Sequence, residues 1–421
     1  MSTGLQNTKE QTEFPRAIIH IDGDAFFVGC ELTSRPWLRG KPVIVGGERG
    51  IASALSYEAK DMGVRRGMSV YEIRRMCPSV VVIDSHYDTY AMYSKRMVDI
   101  VSRYSGKVEH YSVDECFADI TGMNEVLEMS YEEIARNIKN DLDTELGITF
   151  SLGLSVTKVL AKCGSKYEKP SGFTVIPKSR IQNFLKDVSI GRVWGIGTQG
   201  SISLTSEKIF TALDLVSKSE EWVRTNHSKP IQEIHSELNG VPIFGINTAD
   251  KREDQKSIMC TRTFHPFSKD SSDVFSYLSK NIEEACARMR RQGLCVKNFS
   301  IFIKTKDFRY IGGEVRLVRE TSYPEEILNE AKKVFDKIFD CDSMYRTTGV
   351  MLGSLKPIVM QTESLFEEKK NTGKENLYDV MDSISNKFGE HSVFLGSSMN
   401  AILKYEKDKK KIGIPSLGIT T

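Results

Sequence analysis

Pairs are what the cysteines of this 421-residue sequence lack. Cys30, Cys77, Cys116, Cys163, Cys260, Cys286, Cys295 and Cys341 form no CxxC motif and have no histidine at metal-ligand spacing. That excludes a disulfide framework and structural zinc, and it points to a reducing, cytoplasmic setting. A run of about 18 apolar residues is also missing, which excludes a membrane-spanning helix. The leading MSTGLQNTKEQTEF has no apolar core, so residues 1–14 read as a disordered lead-in rather than a signal peptide. Charge of one sign is scarce as well: the formal net charge is +2, which names no partner.

What is present is the composition of a folded protein, 40% hydrophobic and 27% charged, on a chain long enough for more than one core. The apolar run Ala17 to Ile21 reads as a buried strand that ends in Asp22-Gly23-Asp24, with Phe26 and Phe27 directly behind. KPVIVGG (41–47) and VVVI (80–83) are expected strands; SALSYEAKDMGV (53–64), the stretch up to Pro78, and 87–105 are expected helices. KVEHYSVDECFADIT (107–121) reads as a hairpin bent at Val113-Asp114. Ser130-x-x-Glu133 is a capping box, and Ile134, Ile138, Leu142 and Leu146 share the helical face that follows. Alternation at Ile148, Phe150, Leu152 and Leu154 predicts a half-buried strand. Without the insertion at 34–87 this is a βαββαβ unit of ferredoxin-like type, with Asp22 and Asp114 on its central strands. Short helices and glycine turns fill 177–245, including VWGIGTQG, and polar 246–256 reads as a linker. A second α+β unit spans 257–357, with 17 Lys/Arg against 13 Asp/Glu, and a tail with a candidate helix at NLYDVMDSISNKFG follows over 358–421.

Asp22, Asp114 and Glu115 thus meet at one edge of a sheet. Three carboxylates in low dielectric repel, and a hard divalent cation relieves them. Two such ions about 4 Å apart make the clamp for in-line phosphoryl transfer. Taken singly, each aspartate is equally well a turn or helix cap, Phe26 and Phe27 are core residues, and the glycine turn simply reverses the chain.

IIHIDGDAFFVGCE, SYEAKDMGV, YSVDECFADIT, SLGLSVTKVLAKCGSKYEKPSG and VWGIGTQG stand in the order and spacing of the Y-family, translesion DNA polymerases. The pattern resembles the bacterial polymerase IV and polymerase V types from about Ala17 to Pro357. That resemblance implies an α+β, right-hand polymerase: a ferredoxin-like palm (15–33 and 88–176), small fingers (34–87), a helical thumb with a helix-hairpin-helix (177–245) and an α+β little finger (257–357). It implies low-fidelity, distributive, template-directed synthesis past damaged bases, without a proofreading exonuclease. Asp22, Asp114, Glu115 and the Gly23 carbonyl would hold two Mg²⁺ ions. Phe27 would be the steric gate against ribonucleotides, with Phe26 in the same pocket. Tyr57, Lys60 and Lys169 would contact the triphosphate, and Gly195 and Gly197 a DNA phosphate.

Three positions depart from the pattern. Lys60 stands where many relatives have Arg, and a point charge replaces a fork. Gly23 replaces a larger residue and is expected to loosen the pocket floor. Trp194 stands where relatives often have Pro. The expected partners are primer-template DNA, deoxynucleoside triphosphates and the bacterial sliding clamp, the last through Gln361, Leu365 and Phe366 of QTESLF. A monomer is expected. A nucleotide cyclase would use a similar palm, but the fingers insertion, KPSG and the second α+β unit argue against it. A polymerase-like DNA-binding protein with a regulatory role is the other reading, and the intact carboxylates argue against that.

Overall fold

The computed structural model describes residues 10–248, 255–358 and 372–404, and the chain divides into two compact units, residues 1–252 and 253–421.

In the first unit, β1 (Ile18–Gly23) is buried at every position. It lies between β6 (Glu115–Asp119) and β7 (Phe150–Ser155), with β5 (Val108–His110) and β8 (Phe173–Ile176) outside them, in the order β5-β6-β1-β7-β8. The four strands β5-β6-β1-β7 have the ferredoxin-like order, each antiparallel to its neighbours. Helices α1 (Phe26–Ser34), α4 (Tyr87–Val101) and α5 (Tyr131–Leu146) cover the sheet, and α6 (Lys158–Ser165) packs on β1 and β7. Helix α5 starts at the expected capping box and stops at Gly147, whose φ of 64° is left-handed. Its four apolar side chains are fully or nearly fully buried, each worth about 1.5–3 kcal/mol.

Strand β7 corrects the half-buried expectation, because all six of its residues are buried. Ser151, Gly153 and Ser155 lie under cover too, and a Cβ at Gly153 would stand 2.0 Å from the carbonyl of Ala161. The small residues that read as a solvent face are where α6 comes down onto the sheet. Ala54–Leu55, expected to be helical, is instead strand β3 of a small sheet ordered β3-β2-β4, with β2 (Val43–Val45) and β4 (Val81–Ile83). Two short helices, α2 (Tyr57–Asp61) and α3 (Val70–Met76), complete it around its own core of Ile44, Leu55, Ala59 and Ile73. Five short helices follow: α7 (Ile181–Leu185), α8 (Thr198–Ser206), α9 (Ala212–Val216), α10 (Glu220–Asn226) and α11 (Lys229–Leu238).

The second unit has the sheet order β11-β10-β12-β9. Its elements are β9 (Ser257–Ser268), α12 (Ser271–Arg291), β10 (Leu294–Thr305), β11 (Tyr310–Thr321), α13 (Pro324–Ile338) and β12 (Tyr345–Gly353). Both helices cover one face, over Phe299, Ile301, Ile303, Val350 and Leu352. The supposed tail contributes to this unit. Helix α14 (Thr372–Phe388) meets α12 through Asp382, which accepts two 2.8 Å bonds from Arg290, and Tyr378 is buried. Further along, the amide of Ala401 donates to Ser276 Oγ at 3.0 Å. Gln361, Leu365 and Phe366 lie outside the described residues. No helix among the described residues is long and apolar enough to cross a membrane.

Candidate active site

The register of β1 builds the site. Asp22 pairs with Glu115 on one side and Ser151 on the other, and the amide of Gly23 donates to the carbonyl of Asp114 at 2.9 Å. The bend at residues 111–114 therefore delivers Asp114 beside the end of β1. Ala25, at φ 45°, turns the chain through a left-handed conformation, so α1 begins at Phe26 at once. This is how a core strand comes to carry a carboxylate with two rings directly behind it. A Cβ at Gly23 would stand 2.6 Å from Cδ2 of Phe26. The glycine therefore makes room for that ring, and the floor expected to be loose is filled.

Charge in the site is paired. Lys169 contacts the Asp22 carboxylate directly, and Lys162 Nζ donates to Glu115 Oε2 at 2.6 Å. Asp114 accepts from Ser112 Oγ at 2.6 Å. Burial pushes the Asp22 carboxyl up to about 6; Lys169 opposes the shift and Glu115 adds to it. Two carboxylates facing one another across the sheet, with Asp114 beside them, offer hard oxygen donors suited to a divalent cation. The three predicted ligands are gathered at one pair of strand ends without converging on a point. Among the described residues, the trio of carboxylate, thiol or imidazole groups with all donor atoms within 4.8 Å is Asp340, Cys341 and Asp342, exposed in the second unit.

Phe26 is buried, while Phe27 is half-buried and stacks on Tyr90 with centroids 4.2 Å apart and planes at 12°. Tyr90 is in turn fixed by its hydroxyl, which donates to Glu31 Oε1 at 2.6 Å; His86 Nδ1 lies 2.8 Å from the same oxygen, and Arg35 pairs with the other. Lys60 lies over the Tyr57 ring, 4.0 Å from its centroid. Burial lowers the Lys60 ammonium, and Lys169 lowers it further. Gly195, at φ 89°, and Gly197, which caps α8, are both exposed.

Sequence reasoning passed over several residues here. Asp24 is buried and accepts from Ser151 Oγ at 2.8 Å and the amide of Ser171 at 2.7 Å, so it ties β7 to the KPSG turn. Its place in Asp-Gly-Asp was the available signal. Lys162 is caged by rings: its Nζ is 4.3 Å from the Tyr111 centroid and 5.2 Å from Trp194. Trp194 Nε1 donates to the Tyr111 hydroxyl at 3.2 Å, which explains what the unusual tryptophan touches. His20, fully buried, places Nδ1 2.7 Å from Ser165 Oγ, and burial holds its imidazole well below its ordinary range. Tyr90 and Tyr111 carry no sequence signal, because their partners are distant along the chain.

A family model described as the impB/mucB/samB family matches residues 21–166, and one described as its C-terminal domain matches residues 255–365. A DNA polymerase IV from Desulfatibacillum aliphaticivorans is 31% identical over 392 residues, covering 92% of this chain and 98% of that protein. One from Staphylococcus aureus (strain Newman) is 29% identical over 355 residues, covering 84% and 99%. Among solved structures, a Y-family DNA polymerase chimera of Dbh and Dpo4 superposes with a TM-score of 0.69 at 23% identity, covering 81% of this chain and 99% of that one. An insertion ternary complex of Dbh DNA polymerase gives 0.52 at 23% identity, with the same coverage. These structures share the fold.

Proposed function

The chain belongs to the impB/mucB/samB family, the Y-family DNA polymerases, and from that membership we propose how its residues divide the work of translesion DNA synthesis. It is a DNA-directed DNA polymerase, acting on primer-template DNA and deoxynucleoside triphosphates. Asp22, Asp114, Glu115 and the Gly23 carbonyl would hold two Mg²⁺ ions, which would supply activation of the primer hydroxyl and charge stabilisation of the leaving pyrophosphate. The observation carrying this assignment is the register: Asp22 opposite Glu115, with Gly23 bonded to Asp114.

The other roles follow from the neighbours of each side chain. Lys169 opposes the charge on Lys60, and an anionic triphosphate beside Lys60 offsets that repulsion. Lys169, which contacts Asp22, would donate to phosphate oxygens of the nucleotide. Tyr57 supports Lys60 from beneath. Phe27, held flat against Tyr90, is a rigid wall under the sugar, and rigidity is what lets a ring exclude one hydroxyl. Phe26 closes the floor of the pocket. The exposed amides around Gly195 and Gly197 take a DNA backbone phosphate at the start of α8.

In the same reading, the palm is 15–33 and 88–176, the fingers 34–87, the thumb 177–245 and the little finger 257–357. The protein works as a cytoplasmic monomer. QTESLF, through Gln361, Leu365 and Phe366, docks on the sliding clamp. Primer extension tests the core of it. Asp22→Asn and Asp114→Asn are expected to abolish extension while leaving affinity for primer-template DNA within about twofold, since binding rests on phosphate contacts elsewhere. Extension by either variant within about tenfold of wild type overturns the assignment.

A further inference from the structure

Helix α6 carries two buried lysines one turn apart, and each pairs with a carboxylate of the β5-β6 hairpin. Lys158 Nζ donates to both oxygens of Glu109, at 2.9 and 2.7 Å, and to the carbonyl of Gly245 at 3.2 Å. Lys162 Nζ donates to Glu115 Oε2 at 2.6 Å. Rings cover both ammonium groups. Tyr111 and Phe117 lie 4.3 and 5.9 Å from Lys162 Nζ, and Phe117 lies 4.5 Å from Lys158 Nζ. Trp194 is shared, with its ring 5.2 Å from Lys162 and 5.8 Å from Lys158. Each lysine side chain is left 4% exposed, against 15% for Glu115.

Trp194 reaches this cage from another part of the chain. Tyr111 and Phe117 belong to the hairpin that carries Asp114 and Glu115, whereas Trp194 stands in the glycine turn at 193–197. Its aim is set locally. Gly195 holds φ 89°, and a Cβ there would stand 2.8 Å from Cδ1 of Ile234, so the backbone reverses directly behind the indole. Tyr111 and Phe244 then brace the indole edge-on, with centroids 5.5 and 5.8 Å away. On the other side of the ion pair, Glu115 Oε2 lies 3.9 Å from Nε2 of His20, a buried nitrogen with no hydrogen bond among the described residues. Lys162 is therefore the donor that fixes this oxygen.

We propose that Trp194 is a positioning residue for Glu115. By closing the cage it keeps water from Lys162 and the ammonium aimed at Oε2, and so keeps that carboxylate turned for a divalent cation. The inference rests on the polymerase reading, with Glu115 as a metal ligand, and adds a dependence of that ligand on the glycine turn. Water at the pair would raise the local dielectric and let the flexible lysine stem swing away. A metal ligand whose partner is loosened holds its ion about 10–100-fold less tightly. A tryptophan that merely packed would, on removal, lower stability or DNA affinity and leave the metal dependence alone.

The test uses the full chain. Trp194→Ala is expected to raise about tenfold the Mg²⁺ concentration that gives half the maximal single-turnover incorporation rate. The rate at saturating Mg²⁺ should stay within about threefold, and affinity for primer-template DNA within about twofold. Equilibrium binding of Mn²⁺, read without turnover from the EPR signal of the free ion, is expected to weaken by about the same tenfold. Trp194→Phe keeps a ring beside Lys162 and is expected to stay within about threefold of wild type in both measurements. Tyr111→Ala removes the facing wall at a position 42% exposed, and is expected to give the same shift even where Trp194→Ala fails to fold. Unchanged Mg²⁺ and Mn²⁺ dependence in the folded alanine variants overturns the proposal. So does a defect confined to DNA affinity, or a Trp194→Phe variant as impaired as Trp194→Ala. Wild-type primer extension reads the polymerase assignment separately, and Mn²⁺ binding by Glu115→Gln reads the ligand assignment, so the three failures are distinguishable.

Discussion

The two units share one succession of elements, strand-helix-strand-strand-helix-strand, and pair their strands differently. In the first, β5-β6-β1-β7 sets the opening strand between the third and the fourth. In the second, β11-β10-β12-β9 sends the opening strand to the edge. The consequence is chemical. A central β1 ends against the start of β6, so Asp22 and Glu115 meet across the sheet and need counter-charge. An edge β9 has one neighbour, and in that sheet rings and cations gather at the hairpin between β10 and β11. Element order alone therefore does not say where a sheet will put its functional groups.

Carboxylate removal in each sheet is the most severe way to break the comparison. Glu115→Gln is expected to lower the rate of nucleotide incorporation by about two to three powers of ten, through loss of the proposed metal ligand and of the partner of Lys162. Glu314→Gln, on the open face of the second sheet, is expected to stay within about twofold of wild type in the same single-turnover assay. Comparable losses would mean that the two sheets share the catalytic burden.

Sugar selection comes next in size. Phe27→Ala is expected to raise ribonucleotide incorporation, relative to deoxynucleotide, by about two powers of ten. Tyr90→Ala, which removes the ring beneath Phe27, is expected to give a smaller relaxation of about three- to tenfold, read from the ratio of kcat/KM for the two nucleotides. If Tyr90→Ala relaxes selection as much as Phe27→Ala, the stack and not the gate ring decides.

Stability separates the units further. Lys158 is buried against Glu109, with contacts of 2.9 and 2.7 Å, so Lys158→Met leaves a buried carboxylate uncompensated. A loss of about 3–5 kcal/mol is expected, seen as an earlier unfolding transition by calorimetry. The smallest effect is expected from Asp382→Asn, which weakens the Arg290 clasp between α12 and α14. About 1–3 kcal/mol should be lost locally, as faster hydrogen exchange in α14 with the sheet of the second unit unchanged.

Much of this was legible beforehand because it is local. The capping box at Ser130 and Glu133, the stop at Gly147 and the apolar stripe between them depend on residues a turn apart, and α5 follows them closely. The carboxylates could be named because their motifs surround them. Strand β7 was misjudged for the opposite reason: small residues look like a solvent face until a helix is known to rest on them. Residues 372–404 read as a tail because their partners, Arg290, Ser276 and Glu283, lie far back along the chain.

By itself the sequence determined most of the succession of helices and strands, the motifs in which Asp22, Asp114 and Glu115 stand, and the placing of two rings immediately behind a carboxylate. Periodicity, capping and turn residues act over a few positions and are written in order. Only the tertiary structure decided that Asp22 faces Glu115, that Tyr90 carries Phe27, that Lys162 sits in a cage closed by Trp194, and that rings and cations of the second sheet gather at one hairpin. Those are matters of strand order and of contacts between distant residues, settled by burying apolar faces together, and two chains of elements with the same succession can bury them in two ways.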